Sequence, residues 1–459
     1  MARLFGTDGA RGVANSELTC ELAMQIGRSA AFVLRKKLEN KKLKILVGKD
    51  PRLSSDMLES ALVAGLCSVG ADVVKLGVIS TPAVAFLTIK YNADAGIMIS
   101  ASHNSFEFNG IKIFGEDGYK ISEDLEQEIE NLVLDYPQKI ELGAQREIGK
   151  VCDKLNAVDD YISHLKSTID TDLTGLKIAF DCSNGSSFQS ARKLFSSLGV
   201  ESFALYDKPD GININDNCGS THVENIARFV KEHNLDAGFA FDGDADRCIA
   251  IDEKGNVLDG DYILAICAGS LKSKNKLSKS TVVGTVMANM GLNEFLDENS
   301  INFISSKVGD KYVLRDMLKG DFNLGGEQSG HIIFLDYATT GDGQLTAVQI
   351  LNILKNRGKK LSELSSLMTK YPQVLINVKV SKYGKNKLSN DSVIQSEIKS
   401  LEDQLTSKNE DGSTYKTGRI LVRASGTEPL IRVMIEGKDS VKIKAMAEKL
   451  ASLIKKRLS

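Results

Sequence analysis

The chain has 459 residues, 42% hydrophobic and 26% charged, and its 58 Lys and Arg against 60 Asp and Glu leave a formal charge of -2. That length exceeds one ordinary core and predicts three or four domains; the balance excludes a disordered chain, and the lack of a basic surplus argues against nucleic-acid binding. No apolar run approaches the roughly 20 residues that span a bilayer, so no membrane partner is expected. The opening MARLFGTDGARG puts charges and glycines where a signal peptide needs an apolar stretch. Seven cysteines without a CxxC pair read as reduced thiols, so the expected location is cytoplasmic. Neither a GK[ST] triplet nor HExxH occurs, which removes a Walker A site and the zinc-protease helix.

In chain order, FGTDGARG comes first, with glycines, Thr7 and Arg11 in a loop that suits an anion or a plain turn. A strand–helix–strand unit then recurs three times. KILVGKD, SSDMLESALVAGLCSVG and ADVVKLGVIS make the first copy; KIAFDCSNG, SSFQSARKLFSSLG and VESFALYD the second; TVVGTVMAN, MGLNEFLDENS and INFISSKVGD the third. Each opening strand is a near-continuous apolar run, as in sheets covered on both faces. Ser54 or Ser55 with Gly70, and Ser186 or Ser187 with Gly199, are the expected helix caps. Repeats this far apart predict duplicated α/β domains, or one large sheet built of βαβ units. The tail differs: YPQVLINVKV, a polar Lys- and Ser-rich stretch, GRILVRASG, PLIRVMIEG and a helix from Val441 to Leu458 read as a small α+β domain. The expected division is 1–155, 156–255, 256–370 and 371–459.

Four turns carry the chemistry. In GFAFDGDADRCIAID, Asp242, Asp244 and Asp246 put three carboxylates within five residues between apolar strands, where they repel unless a cation sits among them. All-oxygen ligands without His or Cys favour Mg²⁺ over zinc. An EF-hand calcium loop would use Glu253 at position 12, but Arg247 stands where its glycine belongs. An aspartyl phosphatase is disfavoured because Asp246 fills the last place of DxDx[TV]. In GIMISASHNSFEFNGIKIF, Ser102, His103 and Asn104 follow a strand at its C-terminal end, where open α/β sheets bind ligands. Ser102 there is a candidate nucleophile or phosphate carrier, or part of a simple turn; Lys112 could reach a phosphate or accept a proton. GGEQSGHIIF offers Glu327, Gln328, Ser329 and His331 on a glycine-opened turn suited to sugar hydroxyls, or a polar hairpin. In RASGTEPLIR, Arg423 and Arg432 bracket Ser425, Gly426 and Thr427, a set suited to a phosphate dianion, or a hairpin with surface arginines.

GTDGARG at 6–12, SASHN at 100–104, DGDADR at 242–247, GEQSGH at 326–331 and RASGTEPLIR at 423–432 stand in an order that resembles the α-D-phosphohexomutase superfamily over essentially the whole chain. Gln328, where the glucose/mannose branch typically has Met, together with NCGSTH at 217–222 and VGDKYV at 308–313, resembles the branch acting on glucosamine phosphate. The resemblance implies three related α/β domains around a central cleft plus a C-terminal α+β domain of the TATA-binding-protein-like class. It implies an isomerase interconverting glucosamine 6-phosphate and glucosamine 1-phosphate, with glucose or mannose phosphate activity, or a magnesium-dependent phosphatase, as alternatives. Ser102 would be the phosphoserine, and Asp242, Asp244, Asp246 and a phosphate oxygen on Ser102 would bind one Mg²⁺. Glu327 and Ser329 would hold sugar hydroxyls; Arg423, Ser425, Gly426, Thr427 and Arg432 the non-reacting phosphate. Arg11, Lys112 and His331 match positions that assist phosphoryl transfer or proton movement, and Arg247 one that orients substrate. Glucosamine 1,6-bisphosphate or glucose 1,6-bisphosphate would be the activator, and a homodimer in amino-sugar supply for the cell wall the setting. The family commonly has proline after ASHN; Ser105 stands here, which would loosen the Ser102 turn.

Overall fold

The computed structural model describes residues 4–6, 8–38, 41–408, 414–425 and 429–459. It divides into two compact units, Met1–Met287 with Asn299–Leu367, and Ala288–Glu298 with Met368–Ser459. Among the described residues no helix is long and apolar enough to cross a membrane.

The first unit holds three separate sheets, so the recurring pattern marks duplicated domains and not one continuous sheet. All three share a plan. In the seven-stranded sheet, Asp72–Val78, Lys44–Lys49 and Ala95–Ile99 run parallel, and Phe108–Gly115 returns antiparallel to Ala95–Ile99. In the five-stranded sheet, Glu201–Leu205, Lys177–Asp181 and Ala237–Phe241 are parallel and Cys248–Asp252 returns. In the four-stranded sheet, Asn302–Ser306, Thr281–Thr285 and Leu324–Gly326 are parallel and Ile332–Phe334 returns. The return turn in each sheet carries one of the sequence motifs: Ser102, the Asp242–Asp246 triad, or Glu327–Ser329. Three copies of one topology therefore present three different chemistries at one structural position, the C-terminal end of a parallel strand. Strands Ala95–Ile99 and Ala237–Phe241 are buried along their whole length, which accounts for their unbroken apolar sequences.

The expected serine caps do not form. Ser54 and Ser187 stand at the N-cap positions without capping bonds. Ser54 and Ser55 instead accept from Asn109 Nδ2 at 2.9 and 3.1 Å, and Ser55 donates to Asp50 Oδ1 at 2.8 Å. Gly70 and Gly199 do follow their helices at φ +93° and +72°.

The second unit is α+β. Gln373–Lys379, Leu430–Gly437 and Gly418–Ala424 form an antiparallel sheet, with Ile431, Val433 and Ile435 packed in one core with Ile394, Leu450 and Ile454. The polar stretch contains a helix, Ser392–Gln404: Asp391 caps it by accepting from Val393 and Ile394, and Ile394 and Leu401 give it a buried stripe. The third repeat's helix, Met290–Glu298, packs in this compact unit. Glu436 accepts the Met290 N–H at 2.9 Å, Asn289 Nδ2 donates to Tyr371 O at 3.1 Å, and a Cβ on Gly291 would lie 1.8 Å from Thr369 O. Only glycine allows that approach.

Candidate active site

Ser102 lies in the return turn of the first sheet, 1% exposed, at φ +55°. A non-glycine residue enters that left-handed region only where its surroundings fix it. Here Arg52, wholly buried, donates through Nη2 to Ser102 O at 2.9 Å and Asn104 O at 2.8 Å, and through Nη1 to Phe108 O at 3.1 Å and to Ser105 O. Asn215 Nδ2 donates to the same Ser102 and Asn104 carbonyls at 3.0 and 2.9 Å. The conformation points Ser102 Oγ at Asp242 Oδ2, 2.6 Å away; His103 Nδ1 lies 3.4 Å from the same hydroxyl. Burial and the cations of Arg247 and Arg11 push His103 down to about 4, so it is neutral at pH 7.

The triad turn stands opposite, with Ala245 at φ +56°. A Cβ on Gly243 would lie 2.5 Å from Ser102 O, so glycine is what lets the two turns meet. Asp242, Asp244 and Asp246 are buried and bring one oxygen each within 4.8 Å of one another. Asp244 Oδ2 accepts from Thr81 Oγ1 at 2.6 Å and Lys112 Nζ at 2.7 Å. Asp244 Oδ1 and Asp246 Oδ1 are buried and accept no hydrogen bond among the described residues. Carboxylate oxygens stripped of water without a partner are costly, so an all-oxygen set with two such atoms fits a metal site. Burial, with the charges of Asp246 and Asp244, holds the Asp242 carboxyl well above its ordinary range. The calcium-loop alternative fails: Glu253 is taken by Ser362, whose Oγ and N–H donate to it at 2.5 and 3.1 Å, and strands flank the loop.

A charge network joins these turns. Lys112, 1% exposed, reaches Asp244 at 2.7 Å, Asp8 at 2.9 Å and Asp246 at 3.7 Å. Burial opposes its charge, but Asp244, Asp8 and Asp246 outweigh that and raise its pKa. Asp8 also pairs with Arg11 and with Lys120, at 2.5 Å, and Lys120 pairs with Asp310. His331 places Nδ1 3.6 Å from Asp246 Oδ2 while its Nε2 accepts from the Gly341 N–H at 3.1 Å, which leaves the ring proton on the side of Asp246. Burial disfavours its cation, yet Asp246 raises the imidazole above its usual value. Against burial, Lys112 and His331 hold Asp246 well below the carboxylate range. Arg247 Nε stands 3.9 Å from Asp246 Oδ1, and its N–H donates to Asp242 Oδ1 at 3.2 Å.

The structure thus brings Ser102, Arg11, Lys112, the triad, Arg247 and His331 into one connected cluster. In the third return turn Glu327 and Gln328 are half-buried and Ser329 is exposed; Glu327 Oε1 accepts from Gly309 N at 2.9 Å. Arg423 and Arg432 face each other across a strand pair of the second unit, each half-buried, with Ser425 buried just past the end of Gly418–Ala424. Burial and the Arg432 charge lower the Arg423 pKa. Gly426 and Thr427, like Thr7, lie outside the described residues. Sequence reasoning missed Asp8, Asp50, Arg52, Thr81, Lys120, Asn215 and Asp310. The Asp-x-Arg at the end of KILVGKDPR, immediately after a parallel strand, was the available signal for Asp50 and Arg52.

Known proteins share this organisation. Models of the phosphoglucomutase/phosphomannomutase α/β/α domains I, II and III match residues 2–139, 159–255 and 259–371, and the model of the C-terminal domain matches 375–453. The chain is 53% identical over 458 residues to a phosphoglucosamine mutase of Acetivibrio thermocellus and 53% over 457 to one of Clostridium acetobutylicum, covering 100% of each. A phosphoglucomutase/phosphomannomutase family protein from Burkholderia thailandensis has the same fold, with TM-score 0.82 and 24% identity over 99% of this chain and 98% of that one. Aspergillus fumigatus N-acetylphosphoglucosamine mutase, solved with GlcNAc-6P and magnesium, superposes with TM-score 0.70 and 17% identity over 100% and 96%.

Proposed function

The chain belongs to the phosphoglucomutase/phosphomannomutase family, and from that premise we propose that it interconverts glucosamine 6-phosphate and glucosamine 1-phosphate through a phosphoserine at Ser102. The observation that carries the reading is Ser102 Oγ, 2.6 Å from Asp242, beside a buried carboxylate triad with two unsatisfied oxygens. Asp242, Asp244 and Asp246, with a phosphate oxygen on Ser102, would hold one Mg²⁺. Bound there, the ion would neutralise charge on the transferring phosphoryl group.

The remaining work falls to side chains. Phosphoryl transfer needs mostly alignment and charge stabilisation, so a fixed Ser102 and a ring of cations are the expected machinery. Lys112, Arg11 and Arg247 supply positive charge around the triad, and His331 turns its ring proton towards Asp246. Glu327, Gln328 and Ser329 offer a carboxylate, an amide and a hydroxyl to the sugar. Arg423, Ser425, Gly426, Thr427 and Arg432 would hold the phosphate that is not reacting. Phospho-Ser102 passes its phosphoryl group to O1 of glucosamine 6-phosphate, giving a 1,6-bisphosphate. After that intermediate turns over, its 6-phosphate returns to Ser102 and leaves glucosamine 1-phosphate. Glucosamine or glucose 1,6-bisphosphate would load an unphosphorylated enzyme by the same exchange. A cytoplasmic homodimer without a nucleic-acid partner is the setting we carry with this reading.

³¹P NMR with Mg²⁺, a trace of sugar 1,6-bisphosphate and glucosamine, glucose or mannose 6-phosphate in parallel tests it. A 1-phosphate signal growing fastest from glucosamine, without free phosphate, is expected. Faster glucose or mannose conversion would overturn the reading of Gln328, and free phosphate alone would make the protein a phosphatase.

A further inference from the structure

We propose that Asp50 and Arg52 form a positioning pair that fixes both peptide groups of Ser102 and thereby sets the aim of its hydroxyl. The proposal rests on Ser102 being the phosphoryl carrier. Two hydrogen-bonded paths lead from one carboxylate to Ser102. Ser102 N–H donates to Ser100 Oγ at 3.0 Å, and Ser100 Oγ donates to Asp50 Oδ2 at 2.5 Å. On the other side Ser102 O accepts from Arg52 Nη2 at 2.9 Å, and Arg52 Nε donates to Asp50 Oδ2 at 2.8 Å. Asp50 is itself held by Ser55 Oγ at 2.8 Å and the Arg52 N–H at 3.1 Å, both on Oδ1.

The side chains of Asp50 and Arg52 are completely buried, and their hydrogen bonds run to each other, to Ser55, to Ser100 and to the Ser102 turn, so their effect on the reaction is through Ser102. A planar guanidinium is well matched to this role, because one rigid fork takes carbonyls of Ser102, Asn104, Ser105 and Phe108 and closes the turn around a single group. Lysine, with three donors on a flexible stem, cannot reproduce that set. Ser105 leaves its own backbone torsion unrestricted, so the clamp on its carbonyl supplies the rigidity that the residue does not. Asn215 reinforces the Ser102 and Asn104 carbonyls from the second α/β domain.

The test compares the full-length parent with Arg52→Lys, Asp50→Asn, Ser105→Pro and the Arg52→Lys/Ser105→Pro pair. Transfer from glucosamine 1,6-bisphosphate to Ser102 is followed in a single turnover by intact mass, alongside steady-state kinetics and thermal melting. Arg52→Lys is expected to lower kcat and the transfer rate about 100-fold, with KM and the Mg²⁺ half-saturation within about threefold. Asp50→Asn is expected to cost about tenfold in kcat with the same split. Ser105→Pro alone should leave kcat within about twofold, yet raise that of Arg52→Lys at least about fivefold by restoring a fixed torsion. A folded Arg52→Lys with parental kcat would overturn the proposal, as would a Ser105→Pro that by itself raises kcat severalfold. Should Arg52→Lys fail to fold, Asp50→Asn and Ser105→Pro decide by the same criteria. A parent that never takes phosphate on Ser102 would instead sink the carrier reading, a separate result.

Discussion

The first and third α/β domains offer the same return turn at the end of the same kind of strand, yet the two turns are built differently. Ser102 itself is buried and held at positive φ, and the carbonyls of Ser102 and Asn104 are taken by the side chains of Arg52 and Asn215. The Glu327–Ser329 turn is partly open; backbone bonds from Gly330 to Glu327 O and from Gly260 to Gln328 O hold it, both at 3.0 Å, while Glu327 Oε1 takes the Gly309 N–H. A turn that transfers a group must not wander, since small misplacements of a reacting atom cost orders of magnitude in rate. A turn that recognises a sugar needs polar side chains facing solvent until substrate arrives. One topology has thus been specialised by what packs behind the turn.

Variants can break that contrast, from the largest effect on turnover to the smallest. Asp242→Asn removes a charge from the triad while keeping one oxygen able to accept from Ser102; kcat should fall about 1,000-fold and Mg²⁺ dependence should weaken, with melting unchanged. Steady-state rates across a Mg²⁺ titration check this, and parental rates would dismiss the metal assignment. Gly243→Ala forces a methyl to 2.5 Å from Ser102 O, so kcat should drop about 10- to 100-fold while KM stays close to the parent's. Glu327→Gln on the open turn should do the reverse, raising KM for glucosamine 6-phosphate about tenfold with a smaller change in kcat. If Gly243→Ala and Glu327→Gln gave the same kcat-to-KM pattern, the division of labour between the turns would be wrong.

Asp342→Asn should affect turnover least and instead reports on the framework. Asp342 caps Gly343–Arg357, accepts Tyr161 OH at 2.9 and 2.8 Å, and is pushed up to about 6, chiefly by burial. Because the native state binds the proton more tightly than the unfolded chain, this group's stabilisation is complete below about pH 4 and is lost as pH rises through about 6. Asparagine can keep the cap without titrating. Urea unfolding from pH 4 to 7 should therefore cost the parent about 2 kcal/mol more than the variant. Equal pH slopes would show that Asp342 is already ionised at pH 4.

Much of this was legible in the sequence because local runs of residues carried it. The three apolar strands and the acidic turn are contiguous, and their order along the chain matches the order of the sheets. What escaped acts over long separations: Thr81 reaches Asp244 across 163 residues, Asn215 reaches Ser102 across 113 and Arg52 reaches it across 50. The repeat pattern places the Met290–Glu298 helix in the third copy but does not show its long-range packing, in which Gly291, Asn289 and the Met290 amide meet Thr369, Tyr371 and Glu436. The serine caps failed for a similar reason, since Asn109 and Asp50 recruited Ser54 and Ser55 from outside their own helix.

The most direct test of the central claim is where the phosphoryl group rests. Protein freed of phosphate is mixed with Mg²⁺ and glucosamine 1,6-bisphosphate, quenched within one turnover, digested and mapped by mass spectrometry. The account predicts a single added phosphate on Ser102, passed on to glucosamine 6-phosphate in a chase and absent from Ser102→Ala. Phosphate on Ser105 or any other residue, or turnover without labelled Ser102, would contradict it.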